Sequence, residues 1–381
     1  MTRPLAPLLL LTGAALFIGA RSAFPRYDRV LLLETTSETS ANASFGDLDG
    51  DGHLDIVLAK GRHWPLVDRV LLGDGKGGIR AAYDLGVASD KSYSGRLVDL
   101  DGDGDLDVVI SNDAPSPKLA YLNDGTGHFT VGSTYGVPEW PMRNATVADM
   151  NGDGWPDIIA ANRYGRTPGS NHICLNDGAG RFGGDCIPFS PEPATTITAA
   201  DFNGDGRLDL LVPHRNGGQS QLYFGASNAD LAHLRHVPFG PADAEIRVAE
   251  AVDLDGDGRL DVVTIDVSAG IMLHHGNGDG TFGVPTRLTD ARTVPYALQV
   301  GDLDCDGRTD VIVGHVEAPS TVFFNGGDGS FTPVDFGDDL GTTYGIAVGD
   351  FDEDGRPDIA VARSEAPNAL YFSSGPVGRC R

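Results

Sequence analysis

Residues 252–263 read VDLDGDGRLDVV, and the aspartate pattern in this stretch recurs seven times along the chain, beginning at Asp47, Asp99, Asp149, Asp201, Asp253, Asp302 and Asp350. Successive copies start 52, 50, 52, 52, 49 and 48 residues apart. A fixed period of about 50 residues is the signature of a propeller or another repeat array, and it excludes most other ways a chain of this length could fold.

Each unit repeats more than its acidic loop. An alternating or apolar stretch such as RNATVAD comes before it, and a run such as LDVVI or PDIIA follows. Further on comes a turn of the type YLNDGTGHF, CLNDGAGRF or FFNGGDGSF. These pieces read as four short strands: the first ends at the acidic loop, the second leaves it, the third ends at the Asn-Asp-Gly turn, and the fourth begins at the Gly-x-Phe. Four strands in about 50 residues make one propeller blade, and no helical periodicity interrupts them. The expected fold is therefore all-β, a seven-bladed β-propeller of four-stranded blades. Repeat seven stops at NALYFSSG, residues 368–375, without a fourth strand, while SAFPRYDRV near the N-terminus resembles a fourth strand in need of a blade. The N-terminal strand is thus expected to complete the last blade and close the ring, giving one domain over residues 24–381 and leaving no open edge.

Residues 1–23 stand apart. Arg3 precedes an apolar run from Leu5 to Ala20 and small residues follow, which reads as a signal peptide cleaved after Ser22. The expected location is outside the cytoplasm: secreted, periplasmic or at the cell surface, with no transmembrane span in the mature chain. The four cysteines suit an oxidising compartment. Cys305 and Cys380 are both expected on the acidic-loop side of neighbouring blades and so within reach of a disulfide, whereas Cys174 and Cys186 flank one turn asymmetrically and their pairing stays open.

Counting the first aspartate as position 1, positions 1, 3, 5 and 9 carry a carboxylate or an amide in every copy. They are Asp47, Asp49, Asp51 and Asp55; Asp99, Asp101, Asp103 and Asp107; Asp149, Asn151, Asp153 and Asp157; and Asp201, Asn203, Asp205 and Asp209. The last three sets are Asp253, Asp255, Asp257 and Asp261; Asp302, Asp304, Asp306 and Asp310; and Asp350, Asp352, Asp354 and Asp358. Four carboxylates in one tight loop repel each other unless a cation sits among them. Calcium accepts six to eight oxygen ligands in flexible geometry, Asn can replace Asp without loss of an oxygen, and the glycine present at position 6 of every copy permits the turn. An EF-hand fails at position 12, where Leu58, Ile110, Ala160, Val212, Thr264, Val313 and Val361 stand in place of a bidentate Glu. Up to seven calcium ions, one per blade, are expected, with the Asn-containing loops weaker. The four ligand positions of the seven loops, less the two Asn, hold 26 of the 54 acids, and the remaining 28 equal the 28 lysines plus arginines, so the net charge of -26 is loop acidity. It is not evidence for a basic partner, and without a basic stripe a nucleic-acid function is excluded.

The pattern D-x-[DN]-x-D-G-x-x-D, in seven copies and followed by NDGxGxF turns, resembles the FG-GAP/VCBS repeat family, which includes the propeller of integrin α-chains. The resemblance covers residues 24–374 and implies a seven-bladed propeller with calcium in the hairpin loops on one face and ligand recognition on the other. Departures are few: Cys305 and Glu353 replace the position-4 glycine and Asp105 adds an acid at position 7.

Six residues before each first aspartate, where the inner strands begin, stand Ala41, Tyr93, Arg143, Thr195, Arg247, Tyr296 and Tyr344. Of these, Tyr93, Arg143, Arg247, Tyr296 and Tyr344 are expected to form a binding ring at the mouth of the central channel, tyrosines offering flat faces and arginines planar donor forks. His63, Trp64, Trp140, Arg163, Tyr164, His214 and Arg215 lie in nearby loops. The expected function is a monomeric binding or adhesion module for carbohydrate or an extracellular protein, lectin-like and without catalysis. The competing reading is a polysaccharide lyase or hydrolase, for which Glu139, Glu317 and Glu365 are the candidate acids outside the loops. Asn42-Ala-Ser and Asn144-Ala-Thr match glycosylation acceptors.

Overall fold

A computed structural model describes residues 24–163, 171–183, 185–226, 230–288, 293–375 and 379–380. The leader expected over residues 1–23 lies outside the described residues, as does Tyr164.

Seven antiparallel sheets of four strands each make up the described residues. The first blade contains strands Ser40–Gly46, Asp55–Lys60, Leu66–Gly73 and Ile79–Asp90, and the next five repeat this order along the chain. The inner strand of each blade lies beside that of the next, and the strand Ser40–Gly46 of the first blade meets the strand Thr342–Gly349 of the last, so the ring is closed. Closure uses the spare strand. Arg26–Leu32 pairs antiparallel with Ala369–Ser374, from Arg26 opposite Ser374 to Leu32 opposite Ala369, and becomes the outer strand of blade seven. The expectation from the missing fourth strand holds, for a reason of burial as much as of pairing: Tyr27 packs in the cluster shared by blades six and seven, its ring 5.3 Å from that of Phe336.

The core is seven separate apolar layers, one between each pair of neighbouring blades. This explains why the second strand of a blade reads as a continuous apolar run. In Asp55–Lys60 every residue is buried; Ile56 and Leu58 face blade seven and Val57 faces blade two. A strand covered on both faces has no polar side to display.

Two disulfides fix the periphery. Cys305–Cys380 joins the tail to the acidic loop of blade six as expected, and Cys174–Cys186, left open by the sequence, is also formed. The second pair works because Cys174 ends the third strand of blade three and Cys186 directly precedes the fourth, Ile187–Ser190, which brings their Cα atoms within 4.3 Å.

Candidate functional site

The strand order puts the acidic loops and the Asn-Asp-Gly turns on one face of the ring and the second-to-third-strand loops on the other. Within the acidic loops each position has a distinct task. The position-1 carboxylate closes the turn: in loop one Asp47 accepts the backbone N–H of Gly50 and of Gly52, both at 2.9 Å. At position 5, Asp51 accepts the N–H of His53 at 3.0 Å. The position-9 residue opens the second strand in every blade and clamps the loop to the sheet. Asp55 accepts Leu48 N–H with one oxygen and Gly73 N–H with the other, both at 2.8 Å. The same double acceptance recurs at Asp107, Asp157, Asp209, Asp261, Asp310 and Asp358.

Burial, with the other loop carboxylates adding to it, pushes Asp55, Asp107 and Asp157 up to about 6 and Asp310 and Asp358 up to about 7 against the pull of those amides. Position 4 needs a left-handed backbone. Gly50 and Gly102 take φ of 71° and 79°, and Cys305 and Glu353, the two departures from glycine, hold the same region at 59° and 57°.

Position 3 separates the loops into two kinds. In loops one, two, six and seven, Oδ1 of Asp49, Asp101, Asp304 and Asp352 is buried with no hydrogen-bond partner. In the other three loops that oxygen is already used: Asn151, Asn203 and Asp255 accept the N–H of Asp153, Asp205 and Asp257 at 2.9, 2.9 and 3.1 Å. A buried anionic oxygen without a donor is costly. Four of them, each in a loop of oxygen donors, fit a hard cation such as calcium. Several arginines already lean on the loops; Arg80 pairs with Asp49 and Asp51, and Arg29 with Asp352 at 2.7 Å.

On the opposite face, all seven residues found six positions before the first aspartates line one cavity, so Tyr93, Arg143, Arg247, Tyr296 and Tyr344 do converge. The structure adds Arg62, which the repeat spacing gave no means of finding because it lies in the loop after the second strand of blade one, and it brings in Arg163 and Arg215. The arginines and tyrosines interlock. The Arg62 guanidinium carbon is 3.5 Å from the centroid of Tyr344, and Arg62 Nη2 donates to Tyr296 Oη at 2.6 Å. Arg247 covers Tyr296 at 3.4 Å and Arg143 covers Tyr93 at 4.3 Å. The tyrosine faces expected to be open for stacking are therefore capped by cations. Burial, then the neighbouring Arg247 and Arg163, depress Arg215 to about 10. Burial would raise the Tyr296 phenol, but Arg62, Arg247 and Arg215 together outweigh it and lower it.

Asn42 and Asn144, read as glycan acceptors, line this same cavity from inner strands. The side-chain oxygen of Asn42 accepts Gly95 N–H at 3.2 Å and that of Asn144 accepts from Arg96 at 3.1 Å. Of the acids considered for catalysis, Glu317 and Glu365 have left-handed backbones at φ 46° and 68°, and neither they nor Glu139 line this cavity.

Comparison with known proteins agrees with this architecture. A chain in the crystal structure of BBS1N in complex with ARL6DN, soaked with mercury, is similar over 93% of this chain and 98% of its own, with a TM-score of 0.58 and 14% identity. The lead-soaked form of that complex gives 0.60 and 14% identity over 94% of this chain and 98% of its own. At that identity the likeness is one of fold. No curated protein matches the chain. The FG-GAP-like repeat profile matches residues 47–110, 99–160, 149–212, 253–313 and 302–361, well over half of the sequence and each time spanning two successive acidic loops. The chain belongs to the FG-GAP-like repeat family.

Proposed function

We propose that this protein is an exported binding module of the adhesion type, held in shape by calcium and meeting a carbohydrate or extracellular protein with the face opposite its acidic loops. One observation carries the reading: seven equivalent positions, each alone unremarkable, converge on a single cavity where arginines and tyrosines replace the small residues that would merely fill a channel end. Binding sites concentrate such donors and aromatic rings in concave surfaces.

Calcium has a place in this reading as a brace, screening carboxylates that would otherwise repel and fixing the hairpins from which the blades extend. The unpartnered oxygens of Asp49, Asp101, Asp304 and Asp352 support it. Export is supported by the apolar leader and by the pairing of all four cysteines. Among the described residues no helix is long and apolar enough to cross a membrane. The structural relatives come from a complex of two proteins, which favours binding over catalysis only by analogy of fold.

The test is capture on a panel of glycans and extracellular proteins, with calcium and with chelator, using wild type beside an Arg143→Ala/Tyr296→Ala double variant that melts normally. Calcium-dependent binding that the variant loses is expected. Cleaved glycan recovered from the wild-type reaction would replace this reading with the enzymatic one.

A further inference from the structure

The cavity at the channel mouth carries a more specific message than its shape. The molecule is strongly acidic, yet five of its 28 basic side chains, Arg62, Arg143, Arg163, Arg215 and Arg247, line this one depression. Arg143 pairs with Asp113 at 2.7 Å. Among the described residues no carboxylate lines the cavity itself. The Nε atoms of Arg62, Arg143, Arg215 and Arg247 and the hydroxyls of Thr195 and Thr196 are buried there without a hydrogen-bond partner. Six buried polar groups around one cavity, all but two of them cationic donors, describe a site built for an anion, since guanidinium forks match the oxygens of carboxylate and sulfate.

Size and rim narrow the choice. The cavity measures about 80 Å³, room for several waters or one acidic substituent but not for a sugar ring. The tyrosine faces within it are capped by guanidiniums, so a neutral sugar has nothing to stack on inside. At the rim the position is different. His63 contacts Tyr344 with ring centroids 5.9 Å apart, and the adjoining Trp64 keeps 45% of its surface exposed. An exposed indole two residues along the loop from Arg62, its ring 6.3 Å from that of His63, can hold a sugar ring outside while the charge enters the cationic well.

We propose that the mouth seats an acidic saccharide, its carboxylate or sulfate held by Arg62, Arg215 and Arg247 and its ring laid against Trp64. The assignment rests on the binding-module reading and names its ligand class.

The experiment is calorimetric titration of the calcium-loaded, full-length mature protein with four probes: a hyaluronan tetrasaccharide, a heparin tetrasaccharide, neutral chitotetraose, and a glutamate-rich peptide. The two acidic saccharides separate a carboxylate source from a sulfate source. Arg247→Gln and Arg62→Gln, checked by melting, are expected to weaken the acidic saccharide about ten- to a hundred-fold, the loss that follows from deleting a charge-assisted donor. Trp64→Ala, an exposed position that leaves the fold intact, is expected to weaken it several-fold. Binding should fall as sodium chloride rises, and chitotetraose should not bind. Equal binding of chitotetraose, unchanged affinity in Arg247→Gln, binding of the peptide alone, or no binding by any probe would overturn the assignment. Should the panel capture above still find a partner that the Arg143→Ala/Tyr296→Ala protein loses, the binding-module reading survives that failure. A blank result in both experiments removes the two together.

Discussion

The carboxylate of Asp107 accepts the backbone amide of Asn123 at 2.8 Å, and the Asn123 side chain in turn donates to the Leu48 carbonyl at 2.8 Å and to Leu106 at 3.1 Å. Leu48 belongs to the acidic loop of the preceding blade, so this pair ties a loop to its own sheet and to its neighbour. Asn176 and Asn325 repeat the latch onto Leu100 and Leu254.

This arrangement separates two roles that the sequence motif runs together. Asp107→Ala leaves the amides of Leu100 and Asn123 buried without acceptors, and should lower stability by about 2–4 kcal/mol with or without calcium. Asp101→Ala in the same loop deletes a carboxylate that has one unpartnered oxygen, only the amide of Asp103 beside it and no clamp to the sheet, so in chelator it should cost about 1 kcal/mol or less, with a larger loss appearing only when calcium is present. Urea unfolding of both variants in calcium and in chelator checks this. Equal losses in chelator would show that position 9 is no clamp.

Calcium titration of the metal-stripped protein should resolve two classes of site: four tighter ones in the loops of Asp49, Asp101, Asp304 and Asp352, and up to three weaker ones where Asn151, Asn203 and Asp255 already accept a backbone amide. Asp304→Asn should remove a site from the tighter class, because an amide in place of the carboxylate weakens attraction for the ion. Seven equivalent sites, or none, would refute the distinction.

The Cys305–Cys380 bond spans 75 residues and anchors the tail that follows the last strand to the acidic loop of blade six. Loop-closure entropy gives such a crosslink about 4.5 kcal/mol at most. A Cys305→Ser/Cys380→Ser protein should unfold at lower denaturant with an unchanged sheet spectrum. It should also bind calcium more weakly at loop six, since Cys305 sits at position 4 of that loop. A melting curve identical to wild type would mean that the tail adds nothing to the ring.

The sequence disclosed the ring because its period, its turns and its loops repeat, and because a missing strand at one end was matched by a spare one at the other. The mouth was half readable. Tyr93, Arg143, Arg247, Tyr296 and Tyr344 share a fixed offset from the acidic loops, so the repeat alone placed them together. Arg62 has no such offset, and the fact that it lies over Tyr344 depends on how far a loop folds inward. Nor does spacing reveal which loop oxygens lack a well-aligned donor, since Asp101 and Asp255 occupy the same position and differ only in how squarely the amide two residues on meets them.

Asp68 offers a test that is independent of metal and ligand. It is buried in the third strand of blade one, where its oxygens meet Lys60 N–H at 2.7 Å and Ser92 Oγ at 2.9 Å. Ser92 Oγ also lies 2.8 Å from Asn112 Oδ1, and with one proton it cannot donate to both oxygens. A proton on Asp68 resolves the conflict by donating to Ser92 while Ser92 donates to Asn112. Burial accordingly raises this carboxyl from 3.8 to about 7. With the folded value above the unfolded one, an acid of this kind loses stability as pH climbs from about 4 to about 7, where the unfolded chain has released the proton and the folded one still holds it. The loss is on the order of 4 kcal/mol and changes little above that range. Asn copies the protonated form, its amide donating to Ser92 and its carbonyl accepting Lys60 N–H. Asp68→Asn should therefore be close to wild type in stability at pH 4 and more stable at pH 8, as read by urea unfolding in chelator. Parallel stability curves for the two proteins across that range would show that Asp68 is ionised in the fold.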